Sequence, residues 1–301
     1  MTRDKNFKLT YVIIGINVSI FILLFFIDKS LSFSPKTLLQ FGAKYNPMIA
    51  SGQYYRLITS MFLHSDITHL LFNMYALNIL GQNVEFVYGK LKFIIIYLIA
   101  GIFGSLGSFI LSQSIAVGAS GAIFGLLGAY LYLYISRPKA FSAKYIKSLL
   151  TIIGINLLLG IIIPNIDNWA HIWGLIGGFI ISWAIGIKGE KTFTISKIFA
   201  QILTIVLICA SLFTGIKINQ NSWEYNVYKG ESYLSQNKIT EAELQFIDGL
   251  SKNDNIEIFH YYLGYINLEK GDTEKAKYHF QKLVELNPRF TKEKEILDTI
   301  G

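Results

Sequence analysis

Seven stretches of this chain are mainly apolar, and shorter polar segments separate most of them. A membrane span needs about 20 mostly apolar residues, and each stretch approaches that length. They lie near residues 10–27, 67–84, 93–112, 118–135, 148–163, 169–187 and 198–216. The first is long enough to span and no small-residue cleavage site follows it cleanly, so it is interpreted as a retained helix and not as a signal peptide. The pattern predicts an all-α membrane protein with seven spans.

The last part of the chain, residues 219–301, is polar and repeats with a period of 34 residues. Equivalent positions are Gly230 and Gly264, Ala242 and Ala276, and Phe246 and Phe280. This period and its small and aromatic positions resemble tetratricopeptide repeats, in which each unit is a pair of antiparallel helices. Two units are fewer than the three usually needed, so a cap, a partner or the membrane part would complete the stack. The concave face of such a tail predicts a protein partner.

The expected domain organisation follows from these two patterns. Residues 1–190 form the membrane core, residues 191–218 add a seventh membrane helix, and residues 219–301 form a helical domain of about two repeats.

The distribution of charge agrees with the division into a membrane part and a polar tail. It also indicates which kind of partner the basic residues face. Hydrophobic residues make up 52% of the chain and charged residues only 16%, against about 25% charged in soluble domains. Residues 1–218 hold 17 Lys and Arg against 6 Asp and Glu, whereas residues 219–301 hold 10 against 14. The basic excess lies in loops between apolar stretches, which predicts a lipid bilayer and not nucleic acid as the partner.

The positions of the basic residues predict the orientation. Three (Arg3, Lys5 and Lys8) precede the first span, and segments 85–92, 136–147 and 188–197 hold two, four and three. The alternate connections 113–117 and 164–168 hold none, so the N-terminus is expected in the cytoplasm. Seven spans then place the tail outside the cell.

Ser120 lies at the predicted outer end of a glycine-rich span. The glycines there are Gly118, Gly121, Gly125 and Gly128. Taken alone, a serine in a membrane helix is more often bonded to a backbone carbonyl of its own helix. The glycine density instead favours close helix packing and a helix N-terminus next to the serine, whose amides would hold a developing oxyanion.

His171 lies at the same predicted depth, in the span 169–187. His171, Gly174 and Gly178 are spaced i, i+3 and i+7 and share one helix face. A purely structural histidine remains an alternative, but intramembrane ionisable residues are functional hypotheses by default. If this face packs on the glycines of the Ser120 helix, the imidazole can take the hydroxyl proton. Asp167 would orient the ring, but it is simpler that Asp167 or Asn168 caps the helix start, so a dyad is favoured over a triad.

His69 and Asn73 form the third element, because positions i and i+4 share a face of the second span. Both side chains donate hydrogen bonds, which predicts an oxyanion site together with the amides of Ser120 and Gly121. A polar stripe that only holds helices together is the alternative, and it fits Asn78 and Gln82 well. No zinc motif of the His-Glu-x-x-His type is present, so no metal or cofactor is expected.

Together these motifs resemble the rhomboid family of intramembrane serine proteases, over roughly residues 54–187. The matching residues are Tyr55-Arg56, His64, His69-x-x-x-Asn73, Gly118-x-Ser120-Gly121 and Ala170-His171-x-x-Gly174-x-x-x-Gly178. The resemblance implies a six-helix core, with Ser120 as nucleophile, His171 as general base, and His69, Asn73 and the Ser120 amide as the oxyanion site. Arg56 is expected to support the first loop, and His64, five residues before His69 and off its helix face, is expected to lie at the membrane surface and shape that loop. Phe124 stands where well-known members carry Tyr, so ring stacking on His171 is expected without a phenol hydrogen bond.

The resemblance also implies a substrate and a place in the cell. Substrates would be transmembrane proteins, cleaved in or next to a membrane segment. The extra span and the repeat tail look like the rhomboid subgroup of Gram-positive bacteria, which places the chain in the plasma membrane. A rhomboid-like protein that binds membrane proteins without cleaving them is the main alternative. A transporter fits less well, because the two halves show no inverted repeat.

Overall fold

The computed structural model describes residues 8–164, 166–191 and 193–300, which form two compact units. The first unit is Met1–Gly215 and the second is Ile216–Gly301. Arg3 and Lys5, which support the predicted orientation, lie outside the described residues.

The first unit is built from α-helices joined by short connections. In chain order the helices are α1 (Leu9–Asp28), α2 (Pro35–Gln40), α3 (Asn46–Ala50), α4 (Arg56–Thr59), α5 (Ile67–Tyr88), α6 (Lys90–Leu111), α7 (Ser120–Ser136), α8 (Ala143–Ile162), α9 (Asn168–Ile185) and α10 (Ile195–Gln220), whose last turn belongs to the second unit. All seven predicted spans are therefore helical.

Four of these helices, α1, α6, α8 and α10, are long and apolar enough to cross a membrane. Helix α7 is apolar but only 17 residues long. Helices α5 and α9 contain His69, Asn73 and His171. The three helices that carry the candidate chemistry are thus not among these four.

Helix α7 lies at the centre of the unit. Every residue from Gly121 to Leu133 except Leu131 is buried, and the helix packs mainly against α6 and α9. Small residues permit this close approach. Any side chain on Gly125 would overlap Ala100 of α6. The glycine-rich sequence of α7 therefore makes it the axis of the bundle.

Polar side chains fix where the helices of the site begin. Asp66 accepts a hydrogen bond from the His69 amide at 2.9 Å and caps α5. Asp167 accepts from the Ala170 amide at 3.0 Å and caps α9. An N-cap of this kind contributes about 1 kcal/mol. The prediction that Asp167 caps its helix is confirmed.

Glu85 has two roles at the end of α5. Its place near Gly89 predicts that it fixes the turn there, and its carbonyl accepts a hydrogen bond from the Gly89 amide at 2.9 Å. Its carboxylate also accepts hydrogen bonds from the first turn of α1. The donors are the Leu9 amide at 2.8 Å, and the Thr10 amide and hydroxyl at 2.9 and 2.7 Å. A carboxylate at a helix N-terminus is favourable, because the exposed amides and the helix dipole attract negative charge. Glu85 therefore joins the end of α5 to the start of α1.

The first connection, residues 29–66, folds around a buried arginine. Arg56 donates through Nη1 to the carbonyls of Leu39 and Ala43 at 2.8 and 2.9 Å, and through Nε to Gln53 at 2.8 Å. Its guanidinium lies over the ring of Tyr55, which is itself exposed. The bonds show how Arg56 supports this loop: it holds three of its segments together.

The second unit consists of helix pairs, as the period predicts. The helices are α11 (Trp223–Leu234), α12 (Ile239–Lys252), α13 (Glu257–Glu269), α14 (Thr273–Leu286) and α15 (Thr291–Ile300). Helices α13 and α14 begin 34 residues after α11 and α12, and α15 begins 34 residues after α13.

The repeated glycine and phenylalanine contact each other within each pair. A side chain on Gly230 would overlap the ring of Phe246, and one on Gly264 would overlap Phe280. Each phenylalanine is fully buried. The side chains of Ile296 and Leu297 on α15 pack against the cluster formed by α14. Helix α15 thus supplies the cap that two repeats require.

His260 and His279 lie 19 residues apart in the repeat region, and the sequence predicts ordinary helix residues at both positions. They lie on the paired helices α13 and α14 with their Nδ1 atoms 3.0 Å apart, and the Nε2 atom of His260 is 3.2 Å from the Asp254 carbonyl. Burial and the neighbouring His260 lower the pKa of His279 to about 4. The His279 ring is therefore neutral at pH 7, burial also lowers the pKa of His260, and the two Nδ1 atoms share a hydrogen bond.

Candidate active site

Ser120 is the first residue of α7. Gly118 adopts a φ of 124°, in the region that favours glycine, and turns the chain into the helix. The first hydrogen bond of the helix runs from the Ile123 amide to the Ala119 carbonyl at 3.0 Å. The amides of Ser120 and Gly121 precede this bond, and the first amides of a helix have no partner inside it. Partly exposed Ser120 thus lies beside amides suited to an oxyanion.

His171 lies in the first turn of α9 and is buried, with 7% of its surface exposed. Its ring stacks on the ring of Phe124, with centroids 4.2 Å apart and planes within 7°. Phe124 is one turn beyond Ser120 on α7, so the imidazole lies against the first turns of the serine helix. The predicted ring stacking is confirmed.

Paired glycines bring the two helices into backbone contact. A side chain on Gly174 would lie within 3.0 Å of the Gly121 backbone, and one on Gly178 within 3.0 Å of the Gly125 backbone. The predicted glycine face of α9 therefore packs against α7 along two consecutive turns. This contact brings His171 alongside the segment that begins with Ser120.

Asp167 is occupied elsewhere and does not orient the imidazole. It caps α9 and also accepts a hydrogen bond from the hydroxyl of Ser108 on α6. Within the described part of the chain, the buried Nδ1 atom of His171 has no hydrogen-bond partner. The arrangement fits a Ser-His pair better than a triad.

His69 and Asn73 face the backbone just before Ser120. A Cβ atom on Gly118 would lie 2.7 Å from Nε2 of His69 and 3.8 Å from Nδ2 of Asn73. Nδ1 of His69 lies 3.2 Å from the Ser65 hydroxyl, and the Asn73 amide donates to the His69 carbonyl at 3.0 Å. Two potential donors thus converge two residues from the candidate nucleophile.

His64 is more deeply placed than expected. Instead of lying at the membrane surface, it is 1% exposed, and its ring meets His69 edge-on with centroids 5.0 Å apart. Burial, reinforced by the neighbouring His69, lowers the pKa of His64 to about 3. Neutral His64 therefore packs behind His69 and fixes the position of that ring.

Comparison with known proteins shows the family to which the chain belongs. Residues 51–188 match the model of the rhomboid domain, and residues 258–290 match a tetratricopeptide repeat. The rhomboid protein YdcA of Bacillus subtilis is 36% identical over 151 residues, which are 50% of this chain and 76% of YdcA. The chain belongs to the rhomboid family.

Two further rhomboid relatives extend the match. The rhomboid protease GluP of Bacillus subtilis is 35% identical over 281 residues, which cover 93% of this chain and 55% of GluP. RHOMBOID-like protein 2 of Arabidopsis thaliana is 39% identical over 168 residues, covering 54% of this chain and 53% of that protein. The chain thus spans about half the length of GluP and matches it through the tail as well as the rhomboid core.

Several residues around the rhomboid site carry no signal in the sequence pattern. The Ser60 carbonyl accepts a hydrogen bond from the Gly118 amide at 2.9 Å, and Ser108 bonds Asp167. Their partners lie about 60 residues away, and isolated serines are common at helix interfaces. In the part of the chain that the structure describes, no three His, Cys, Asp or Glu side chains are grouped to hold a metal ion.

Proposed function

We propose that this rhomboid is an intramembrane serine protease that uses Ser120 and His171. One observation carries the proposal: Ser120 begins α7, and the buried His171 ring stacks on Phe124 of the same helix across paired glycines. A hydroxyl needs a neighbouring base to become a nucleophile. Among the residues that the structure describes, Nδ1 of His171 has no hydrogen-bond partner and the Asp167 carboxylate bonds elsewhere, which supports a two-residue mechanism.

The proposed reaction proceeds in two steps. His171 takes the proton of the Ser120 hydroxyl as the oxygen bonds to the carbonyl carbon of a peptide bond. The tetrahedral intermediate collapses, the C–N bond breaks, and His171 returns the proton to the leaving amine. Water then attacks the acyl-enzyme by the same route and releases the carboxylate product. These steps use no metal or cofactor.

The substrate class follows from the place of the site in the membrane. Backbone groups of a membrane helix are all bonded internally, so a scissile bond there is accessible only after local unwinding. We therefore expect transmembrane proteins with small or helix-breaking residues near the cleavage point to be cleaved.

A fluorophosphonate probe tests the proposal directly, because it reacts with activated serines. The purified full-length chain should be labelled at Ser120, as located by mass spectrometry of the labelled peptide. Ser136→Ala, at the opposite end of the same helix, should label normally, whereas Ser120→Ala should not. Persistent absence of labelling in the folded wild-type protein would instead support a rhomboid-like protein that binds membrane proteins without cleaving them.

Asn73 is proposed as an oxyanion donor, together with His69 and the amides of Ser120 and Gly121. Replacing Asn73 with alanine should lower kcat by about 10²–10³-fold with little change in KM, since such donors act on the transition state. Asn78→Ala, further along α5, is the matched control. Steady-state cleavage of a reporter in proteoliposomes measures both constants, and an Asn73→Ala enzyme with normal kcat would remove Asn73 from the site.

We propose that residues 1–190 form the protease, residues 191–218 a seventh membrane helix, and residues 219–301 a repeat domain outside the cell. The basic loops favour a cytoplasmic N-terminus, and Glu85 links the end of α5 to the start of α1, as antiparallel neighbouring spans require. The tail would recruit substrates or adaptor proteins.

Protease added to intact bacterial cells tests whether the tail lies outside the cell, because it should then remove the tail. The shortened enzyme tests whether the tail recruits substrates. It should cleave full-length substrates more slowly than the intact enzyme does, with a smaller effect on short substrates. A tail that stays protected in intact cells but is cut after lysis would place it in the cytoplasm.

A further inference from the structure

The segment that leads into Ser120 is held by the first connection of the chain. Residues 112–119 join α6 to α7. Lys44 and Ala116 exchange two backbone hydrogen bonds, at 3.0 and 3.1 Å, and Gly118 donates to the Ser60 carbonyl at 2.9 Å. The backbone on the approach to Ser120 is thus fixed at two points by residues about 60 to 70 positions earlier.

The side chain of Lys44 adds a third attachment. It is 1% exposed, and its ammonium group donates to the carbonyls of Ser112 at 2.7 Å and Ser114 at 3.0 Å. Ser112 follows the last residue of α6, where unpaired carbonyls attract positive charge. The lysine therefore closes the end of α6 and shapes the turn that follows it.

Asn46 reinforces the same turn from the same loop. Its amide lies 2.9 Å from both the Ser112 carbonyl and the Gln113 side-chain oxygen, and 3.3 Å from the Phe109 carbonyl. Two buried polar side chains from one short segment thus converge on one turn. Hydrogen bonds from buried donors to the carbonyls of one turn favour a single backbone arrangement.

Electrostatics also links Lys44 to the helix that carries His171. Burial lowers the pKa of Lys44 to about 7, and the negative charge of Asp167 opposes that shift. Asp167 caps α9 and accepts the Ser108 hydrogen bond. A buried ammonium is costly unless it is paired and hydrogen-bonded. The two carbonyl acceptors and the charge of Asp167 therefore offset the cost of burying Lys44.

We propose that Lys44 is a positioning residue for the nucleophile: its ammonium group fixes the turn at 112–117, and so fixes how Ser120 is aligned with His171. The inference depends on the proposed protease function, because alignment matters only if Ser120 reacts. A displacement of about 1 Å in a reacting group can cost about 10²-fold in rate.

Three variants of the full-length protein in proteoliposomes test the inference. Lys44→Met keeps the length and apolar stem but removes the donor. It should lower kcat and the rate constant of fluorophosphonate labelling by about 10- to 100-fold, with KM little changed. Lys44→Arg should recover most of that loss, because guanidinium also donates to carbonyls. Lys36→Met, an exposed lysine of the same connection, should behave as wild type. Rates are normalised to folded protein, so a loss of stability alone would not lower them.

The outcomes separate this inference from the proposed function. Wild-type protein that does not label would refute the protease, whereas labelling of Lys44→Met at the wild-type rate would refute Lys44 alone. A rate loss that Lys44→Arg does not recover would also count against an ammonium role. If Lys44→Met does not fold, hydrogen exchange of wild-type protein decides: Ala116 and Gly118 amides should be protected like helix interiors, and free exchange would overturn the inference.

Discussion

Replacing Ser120 with alanine should reduce cleavage of a reporter membrane protein by about 10⁴-fold or more, and His171→Ala should cost about as much. The double variant should lose no more than either single variant. In the proposed mechanism both residues serve one proton transfer, so once either is removed the loss of the other has no further effect on the rate. Initial rates in proteoliposomes, at equal amounts of folded enzyme, measure all three losses.

Two matched substitutions control for the change of residue type. Ser136→Ala alters a serine at the far end of α7, and His279→Ala alters a histidine in the repeat unit; both should retain normal rates on short reporters. The assignment fails if either dyad variant keeps more than about 1% of the wild-type rate. It also fails if the two losses multiply in the double variant, because independent contributions multiply whereas parts of one unit do not.

The predicted elements that the structure confirms are those with a short-range signature. Each long helix corresponds to an apolar stretch, and the 34-residue period predicts where α13 and α14 begin. Asp167 could be predicted as a cap from its place just before an apolar helix. The spacing of His171, Gly174 and Gly178 predicts one small-residue face, and this face packs on Gly121 and Gly125. In each case the residues that form the pattern lie within a few helical turns of one another, or recur with the 34-residue period.

What could not be predicted depends on contacts between distant parts of the chain. Glu85 reaches the first turn of α1 from about 75 residues away, and Lys44 reaches Ser112 from 68. Nothing in the local pattern identifies such partners. The period of the apolar residues shows which face of a helix is buried, but not which other part of the chain packs against that face. The same holds for His64, whose burial behind His69 depends on how the first connection folds back. These contacts, more than the helices, determine how the site is held.

The glycine contact between α7 and α9 should tolerate no side chain. Among the variants considered, Gly178→Val should therefore lower the free energy of unfolding most. A Cβ atom at Gly178 would lie within 3.0 Å of three Gly125 backbone atoms. Backbone cannot rotate aside as a side chain does, so the helices must separate. Overpacking usually costs about 1–3 kcal/mol and sometimes more, and we expect about 3 kcal/mol, or a fall in Tm of about 10 °C. Thermal unfolding in detergent measures it.

Gly154→Val on α8 is the matched control, because a Cβ atom there meets nothing within 4 Å. Both substitutions replace glycine with valine inside a helix, so they share the same change in helix propensity, and the difference between them reports the interhelical contact. Gly178→Val should also lose fluorophosphonate labelling at temperatures where it remains folded, since separated helices carry His171 away from Ser120. If instead Gly178→Val unfolds like Gly154→Val and labels at the wild-type rate, the α7–α9 contact does not align the two residues, and the basis for pairing them is lost.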